Sequence, residues 1–407
     1  MRCINLTPLL VISVCTLLSC KKDVNSSSSP QITVEKSPGN VTARKATYPS
    51  YNTNPLPPDP TGMSGNAVQI ASKFKLGMNI GNTLEAIGGE TAWGNPQITK
   101  SFIDLVKQSG FKTVRIPCSW DQYANRTTAE IQAQWLDRVK QVVQYCIDDS
   151  LYVILNIHWD GGWLDGNITT QAQASVNAKQ KAFWEQIATK MRDFDEHLMF
   201  ASANEPPVEN ATQMNILLSY HQTFVNAVRS TGGRNTYRVL VVQGPSTDID
   251  KTTTLMNTLP ADPTPDRMMT EVHFYTPYQF CLMQQDATWG NMFYYWGQNY
   301  HSTIEPARNA TWGEEDYVIA EFQKMKTKFA DKGIPVILGE YGAYRRTTPL
   351  DMEKHQASVD HWAIYVTNQA IANGLEPFWW DTGGLLSRSS NTVLDQRTLD
   401  ALLQGAQ

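Results

Sequence analysis

Phe200-Ala-Ser-Ala-Asn204-Glu205-Pro206 is the stretch whose reading decides the architecture. A short apolar run stops at a carboxylate. Pro206 and Pro207 then remove two backbone donors, so Glu205 stands at the C-terminal tip of a strand. Val336-Ile-Leu-Gly-Glu340-Tyr-Gly342 repeats the design, another strand-like run ending at a glutamate. Two carboxylates on strand tips are the parts that acid–base cleavage of a glycosidic bond requires.

Working outward, the same kind of run recurs along the chain. Apolar, β-branched segments fall at Lys75–Ile80, Thr113–Ile116, Tyr152–Ile157, Leu198–Ala203, Val239–Gln243, Met268–Phe274, Pro335–Gly339 and Leu375–Trp380. Helix-period stretches lie between most of them: Ile98–Ser109, Ile131–Ile147, Lys181–Phe194, Ile216–Val228, Asp316–Phe329 and Lys354–Ile371. Strand–helix alternation of this kind predicts a parallel sheet. Eight units predict an α/β protein of the (β/α)8 barrel type, as one catalytic domain over 63–407. An open doubly wound sheet is the alternative, but no Gly-rich phosphate loop follows any strand.

A barrel would place the polar residues after each run at one rim, where this architecture carries its active sites. They are Asn79, Asn82 and Glu85 after the first run, Arg115 in the second and His158 after the third. The fourth supplies Asn204 and Glu205, the sixth His273 and Tyr275, the seventh Glu340, and the eighth Trp379, Trp380 and Asp381.

At these residues the chain resembles glycoside hydrolase family 5, the cellulase family. The matching motifs are Gly77-Met-Asn-Ile-Gly-Asn82-Thr-Leu-Glu85, Val114-Arg115-Ile-Pro117, Asn156-Ile-His158, Asn204-Glu205-Pro206, His273-Phe-Tyr275, Gly339-Glu340-Tyr-Gly342 and Phe378-Trp379-Trp380-Asp381. Thr91-Ala-Trp93-Gly-Asn-Pro96 and the Phe-Trp-Trp-Asp ending are similar to its subfamily 4. The resemblance implies a retaining endo-β-1,4-glucanase acting on cellulose or β-glucan, with a xyloglucan-specific enzyme as the alternative. It implies Glu340 as nucleophile and Glu205 as acid/base. It also implies substrate-binding roles for Asn82, Glu85, Arg115, His158, Asn204, His273, Tyr275 and Trp379, with Trp379 as the floor under the cleaved sugar. No cofactor and no metal is implied. One departure stands out: many members carry a second histidine after the one matching His158, and here the residue is Trp159, in His158-Trp-Asp-Gly-Gly-Trp163.

The N-terminus reads as an export segment. Arg2 precedes the apolar run Leu9–Leu18, too short to span a bilayer, which ends in Leu17-Leu-Ser-Cys20. This resembles a bacterial lipobox, which implies a signal peptide over 1–19 and lipidation of Cys20. The expected address is therefore the outer membrane, at the cell surface, with a periplasmic or secreted protein as the alternative. Residues 21–62, rich in Ser and Pro, read as a flexible linker. Cys118, Cys146 and Cys281 lack ligand spacing and read as buried free thiols. The net charge of −5, without a basic run, argues against a nucleic-acid partner and leaves the polysaccharide and the membrane. A monomer is expected. A non-catalytic glycan-binding barrel would be expected to lose one carboxylate, and a zinc hydrolase needs a motif such as H-E-x-x-H, which this chain lacks.

Overall fold

The computed structural model describes residues 47–407; the expected signal peptide, Cys20 and most of the expected linker lie outside them. Eight parallel strands close into a barrel: β1 (Gly77–Ile80), β2 (Thr113–Ile116), β3 (Tyr152–Asn156), β4 (Leu198–Ala201), β5 (Leu240–Gln243), β6 (Met268–Phe274), β7 (Val336–Tyr341) and β8 (Leu375–Asp381). Because β8 pairs with β1, the sheet has no free edge, and the open-sheet alternative is excluded. One helix of seven or more residues follows each strand: α1 (Lys100–Gln108), α2 (Ala133–Asp148), α3 (Gln173–Met191), α4 (Ala211–Ser230), α5 (Ile249–Leu255), α6 (Glu315–Lys328), α7 (Met352–Ala372) and α8 (Gln396–Gly405).

The eight strands fall on the eight apolar runs. The helices differ more. α5 and α8 are unanticipated, because three consecutive threonines weaken the helical signal of α5 and Asp248 is what caps it, accepting from the Lys251 amide. α3 begins eight residues before the expected Lys181. Its inner face includes buried Gln180, which donates to the Ser202 carbonyl at 3.0 Å, so a purely apolar period underreads it.

Strand alternation divides the core in two. Tyr152, Ile154, Met199, Ala201, Val241, Met269, Ile337 and Phe378 fill the barrel interior with Ile70 and Phe74, which plug its N-terminal end. Val114, Val153, Leu155, Phe200, Val242 and Val272 face outward against the helices. Gly77 makes room for this packing: a Cβ there would meet the Phe378 ring at 2.5 Å. Cys118, Cys146 and Cys281 are buried free thiols, as expected.

The linker boundary needs correcting. Residues 47–62 are bound to the barrel instead of forming part of a free tether. Ser50 Oγ and the amides of Tyr51 and Asn52 donate to the carboxylate of Glu185, a buried residue of α3, and Tyr51 Oη donates to the Thr128 carbonyl at 2.7 Å. Leu56–Pro58 pairs with Gly232–Gly233. Gly232 has φ +69°, and any Cβ would lie 1.8 Å from the Leu56 oxygen. Proline-rich composition hides this attachment, since its hydrogen bonds go mainly to side chains and to one short strand pair. A chain starting at Met63 is expected to lose about 2 kcal/mol or more relative to one starting at Thr47, since Glu185 then keeps only Lys181 as partner. Thermal or urea melts of the two chains test this.

Candidate active site

The strand tips converge as the barrel reading requires, and Arg115 is their hub. It projects inward from β2 and has no exposed surface. Its Nη1 donates to Asn79 Oδ1 and to Glu340 Oε1, both at 3.0 Å, and its Nη2 donates to Asn204 Oδ1 at 2.8 Å. Its Nε lies 2.8 Å from Glu271 Oε1 but off the N–H axis, so that contact is an ion pair and not an aligned hydrogen bond. Asn79 in turn donates to the carbonyls of Gly339 and Phe378, fixing β1 against β7 and β8.

Glu340 reaches the site through an irregularity. Plain alternation along β7 would put it on the outward side with Val336 and Leu338. The register instead shifts between Val272/His273 on β6 and Leu338/Glu340 on β7, and it shifts again against β8. One extra residue, Gly339, is absorbed there, and Glu340 turns inward. It accepts from Arg115 and from Tyr275 Oη, the latter at 3.0 Å. Glu205 lies across from it. One carboxylate oxygen of each lies within 4.8 Å of the other and of a His273 nitrogen. Between carboxyl groups, retaining pairs stand about 5–5.5 Å apart and inverting pairs about 6.5–9.5 Å.

His273 sits between carboxylates on both sides. Nδ1 is 2.7 Å from Glu205 Oε1 and 3.8 Å from Glu340 Oε2, and Nε2 is 3.1 Å from Glu271 Oε1. Both ring nitrogens therefore face acceptors, and the ring is an imidazolium. Burial opposes that charge, but Glu340, Glu205 and Glu271 outweigh burial and raise the ring to about 9. Two cations, Arg115 and His273, thus face three carboxylates. A single proton shared by the carboxylates makes the cluster neutral, as a low-dielectric site favours.

The position of that proton departs from the simplest expectation for an acid. Burial raises Glu205, but the His273 hydrogen bond and charge override it and hold Glu205 below the usual range. Glu340 is raised by burial and by Glu205, against the pull of His273 and Arg115. In the unliganded site His273 points at Glu205, which draws the negative charge there.

The other expected residues divide. Asn204 keeps its amide NH2 available, because Arg115 occupies its oxygen. His158 is neutral, held down by burial and by Arg115 and His273. Its Nδ1 faces Asn156 Nδ2 at 3.2 Å, which leaves Nε2–H to donate. Glu85 is 2 % exposed, and its two oxygens accept from the amides of Asn82 and Thr83, so it braces its own turn. Asn82 is half-buried in that turn at φ +58°. Trp379 is 6 % exposed and packs edge-on against Tyr341 at 5.3 Å. Only its ring edge approaches the site, where it and Tyr275 flank Gly342. Trp380 is the more open of the pair, its ring parallel to His158 at 5.8 Å. Trp159 is 48 % exposed at the rim. Its loop is held by Asp160, which accepts from Ser119 Oγ, Trp163 Nε1 and the amides of Trp120 and Asp121.

Three contributors went unread in the sequence. Glu271 and Gln243 lie beneath the site, and a charge in mid-strand two residues before His273 was the available signal. Asp165, after β3, is pushed up to about 8 by burial and by Glu205; nothing in the sequence singles it out. Glu205, His273 and Glu340 could offer ligand atoms to a cation, but His273 Nδ1 already bonds Glu205 Oε1, and the ring would first have to lose a proton. Arg115→Met should cost about 3–5 kcal/mol in a denaturant titration, because Glu271 and Glu340 are left buried without their cation. It should also lower kcat/KM at least about 100-fold.

Residues 78–385 match the family model for cellulase (glycosyl hydrolase family 5). The chain is 34 % identical to a xyloglucan-specific endo-β-1,4-glucanase of Bacteroides ovatus, over 94 % of this chain and 78 % of that one. Its fold superposes on a xyloglucan-specific β-1,4-glucanase from a ruminal metagenomic library, with a TM-score of 0.78 and 40 % identity over 84 % of this chain and 96 % of that one. It also superposes on a broad-specificity endoglucanase of Bacteroides salanitronis, with a TM-score of 0.75 and 33 % identity over 85 % and 96 %. With the carboxylate pair at its strand tips and a matching model over most of its length, the chain belongs to glycosyl hydrolase family 5.

Proposed function

We propose that the protein is a retaining endo-β-1,4-glucanase. The observation that supports this reading is the Glu205–Glu340 pair, with oxygens within 4.8 Å of one another and with a guanidinium and a phenol bonded to Glu340 alone. In the first step Glu340 attacks the anomeric carbon while Glu205 protonates the departing glycosidic oxygen. The C–O bond breaks and a glycosyl ester forms. The ester removes the charge of Glu340. Glu205 then takes a proton from water, which attacks the same carbon, breaks its bond to the Glu340 carboxylate and restores the original configuration.

Substrate has to reverse the unliganded proton distribution. A sugar oxygen entering beside Glu205 displaces its bond to His273 and desolvates it, which raises it. Glu340 keeps Arg115 and Tyr275. Asn204 offers its NH2 to the sugar 2-OH, and the open face of Trp380 and the rim Trp159 offer stacking surfaces.

A second reading, within the same reaction, is preference for xyloglucan. It is favoured by relatives of that specificity at 34 % and 40 % identity and by an exposed Trp159 where many family members carry histidine. Initial rates on cellulose, mixed-linkage glucan, xyloglucan and glucomannan separate the two. We also propose that lipidation at Cys20 anchors the enzyme at the outer membrane, on the strength of the Leu17–Cys20 motif. Activity should then sediment with membranes, and Cys20→Ala should release it.

Nuclear magnetic resonance of the first product formed should show the β-anomer; the α-anomer would establish inversion. Glu340→Ala should abolish turnover on every substrate. Glu205→Ala should lower kcat/KM on polymer about 10²–10⁴-fold, while glycosylation by aryl glycosides with good leaving groups stays within about tenfold of wild type. Equal losses on both would remove the acid role from Glu205.

A further inference from the structure

Beneath the catalytic pair lies a carboxylate that the two-step reaction does not use. Glu271 projects inward from the middle of β6 and has no exposed surface. Such a charge is retained only with partners around it. Oε1 is shared by Arg115 Nε at 2.8 Å and His273 Nε2 at 3.1 Å, and Oε2 accepts from Gln243 Nε2 at 2.6 Å. It touches both cations of the site and neither catalytic glutamate. Burial pushes it up, but Arg115 and His273 outweigh burial and hold it ionised below the usual range.

Glu271 also occupies the space that a side chain at position 339 would need. A Cβ on Gly339 would stand 2.1 Å from Glu271 Oε1 and 2.7 Å from its carboxyl carbon. Gly339 is the residue at the register shift that turns Glu340 inward. One carboxylate therefore borders three features: the guanidinium on Glu340, the imidazole on Glu205 and the irregular backbone that aims Glu340.

We propose, building on the double-displacement reading above, that Glu271 is a positioning residue that keeps His273 doubly protonated and so sets the charge facing the acid/base. The groups around His273 on each packed element bear on this: Glu205 after β4, Glu340 on β7, Arg115 on β2, His158 after β3, and Glu271 and Tyr275 on its own strand and beyond. In the double-displacement reading Glu205 changes its protonation between the two steps, and Glu340 loses its charge in the glycosyl ester. Glu271 alone among the three carboxylates stays ionised, in contact with the ring, through both steps. It acts as the fixed counter-ion that holds the second proton on Nε2 while Nδ1 serves Glu205.

The test is the titration of His273 in protein labelled with 15N-histidine, its signal assigned by loss in His273→Gln. In wild type both ring N–H groups should persist through pH 8. In Glu271→Gln, which keeps the shape and removes the charge, the midpoint should fall by at least one pH unit. In the same variant, kcat/KM on β-glucan polymer, whose leaving group needs the acid, should fall at least tenfold. Gly339→Ala, which displaces the Glu271 carboxylate without removing it, should lower the midpoint in the same direction. A neutral wild-type ring at pH 7 overturns the proposal even if neither variant folds. An unmoved midpoint or unchanged activity in folded Glu271→Gln overturns it as well. Product anomer analysis on wild type reports separately on the double-displacement reading, so failure of one is distinguishable from failure of the other.

Discussion

A guanidinium buried at the centre of a barrel is the constraint on which the rest depends. Arg115 has no access to water, so its charge and its hydrogen bonds must be met by side chains. Asn79, Glu340, Asn204 and Glu271 meet them, from β1, β7, the tip of β4 and β6. Those are also the strands that carry or support the catalytic pair. The cost of burying the charge is offset only if these groups stand in place together, and this ties the precision of the site to the stability of the barrel.

Electrostatic balance follows from the same arrangement. Two cations meet three carboxylates, of which Glu271 and Glu340 are buried and Glu205 is exposed, and the hydrogen bond of His273 goes to the exposed one. In the free site it draws charge to Glu205, the less buried of the catalytic pair. In the proposed reaction Glu205 passes from acid to base beside this imidazolium.

Rigidity and openness are also divided. The barrel interior below the site is packed with apolar side chains and closed by Phe74 and Ile70, while the rim carries half-open or exposed aromatics on loops braced by buried carboxylates. Glu85 and Asp160 each use their oxygens to tie loop amides together. The neighbours they hold, Asn82 and Trp159, are half-buried and exposed.

The strands, their order and the two strand-tip carboxylates, Glu205 and Glu340, were legible in local signals: β-branched runs, proline stops, and a polar residue at each tip. A closed barrel then followed from the eightfold alternation. The attachment of residues 47–62 was illegible, since Glu185 and Gly232, which receive them, lie more than 100 positions away. The inward turn of Glu340 depends on a register shift between neighbouring strands, and one strand's alternation points it the other way. The bracing role of Glu85, the burial of Trp379 beside the openness of Trp380, and Glu271 under both cations were likewise decided only by the tertiary structure. Each is a matter of which distant group occupies a side chain's hydrogen bonds or its space, and that is settled only when the barrel closes.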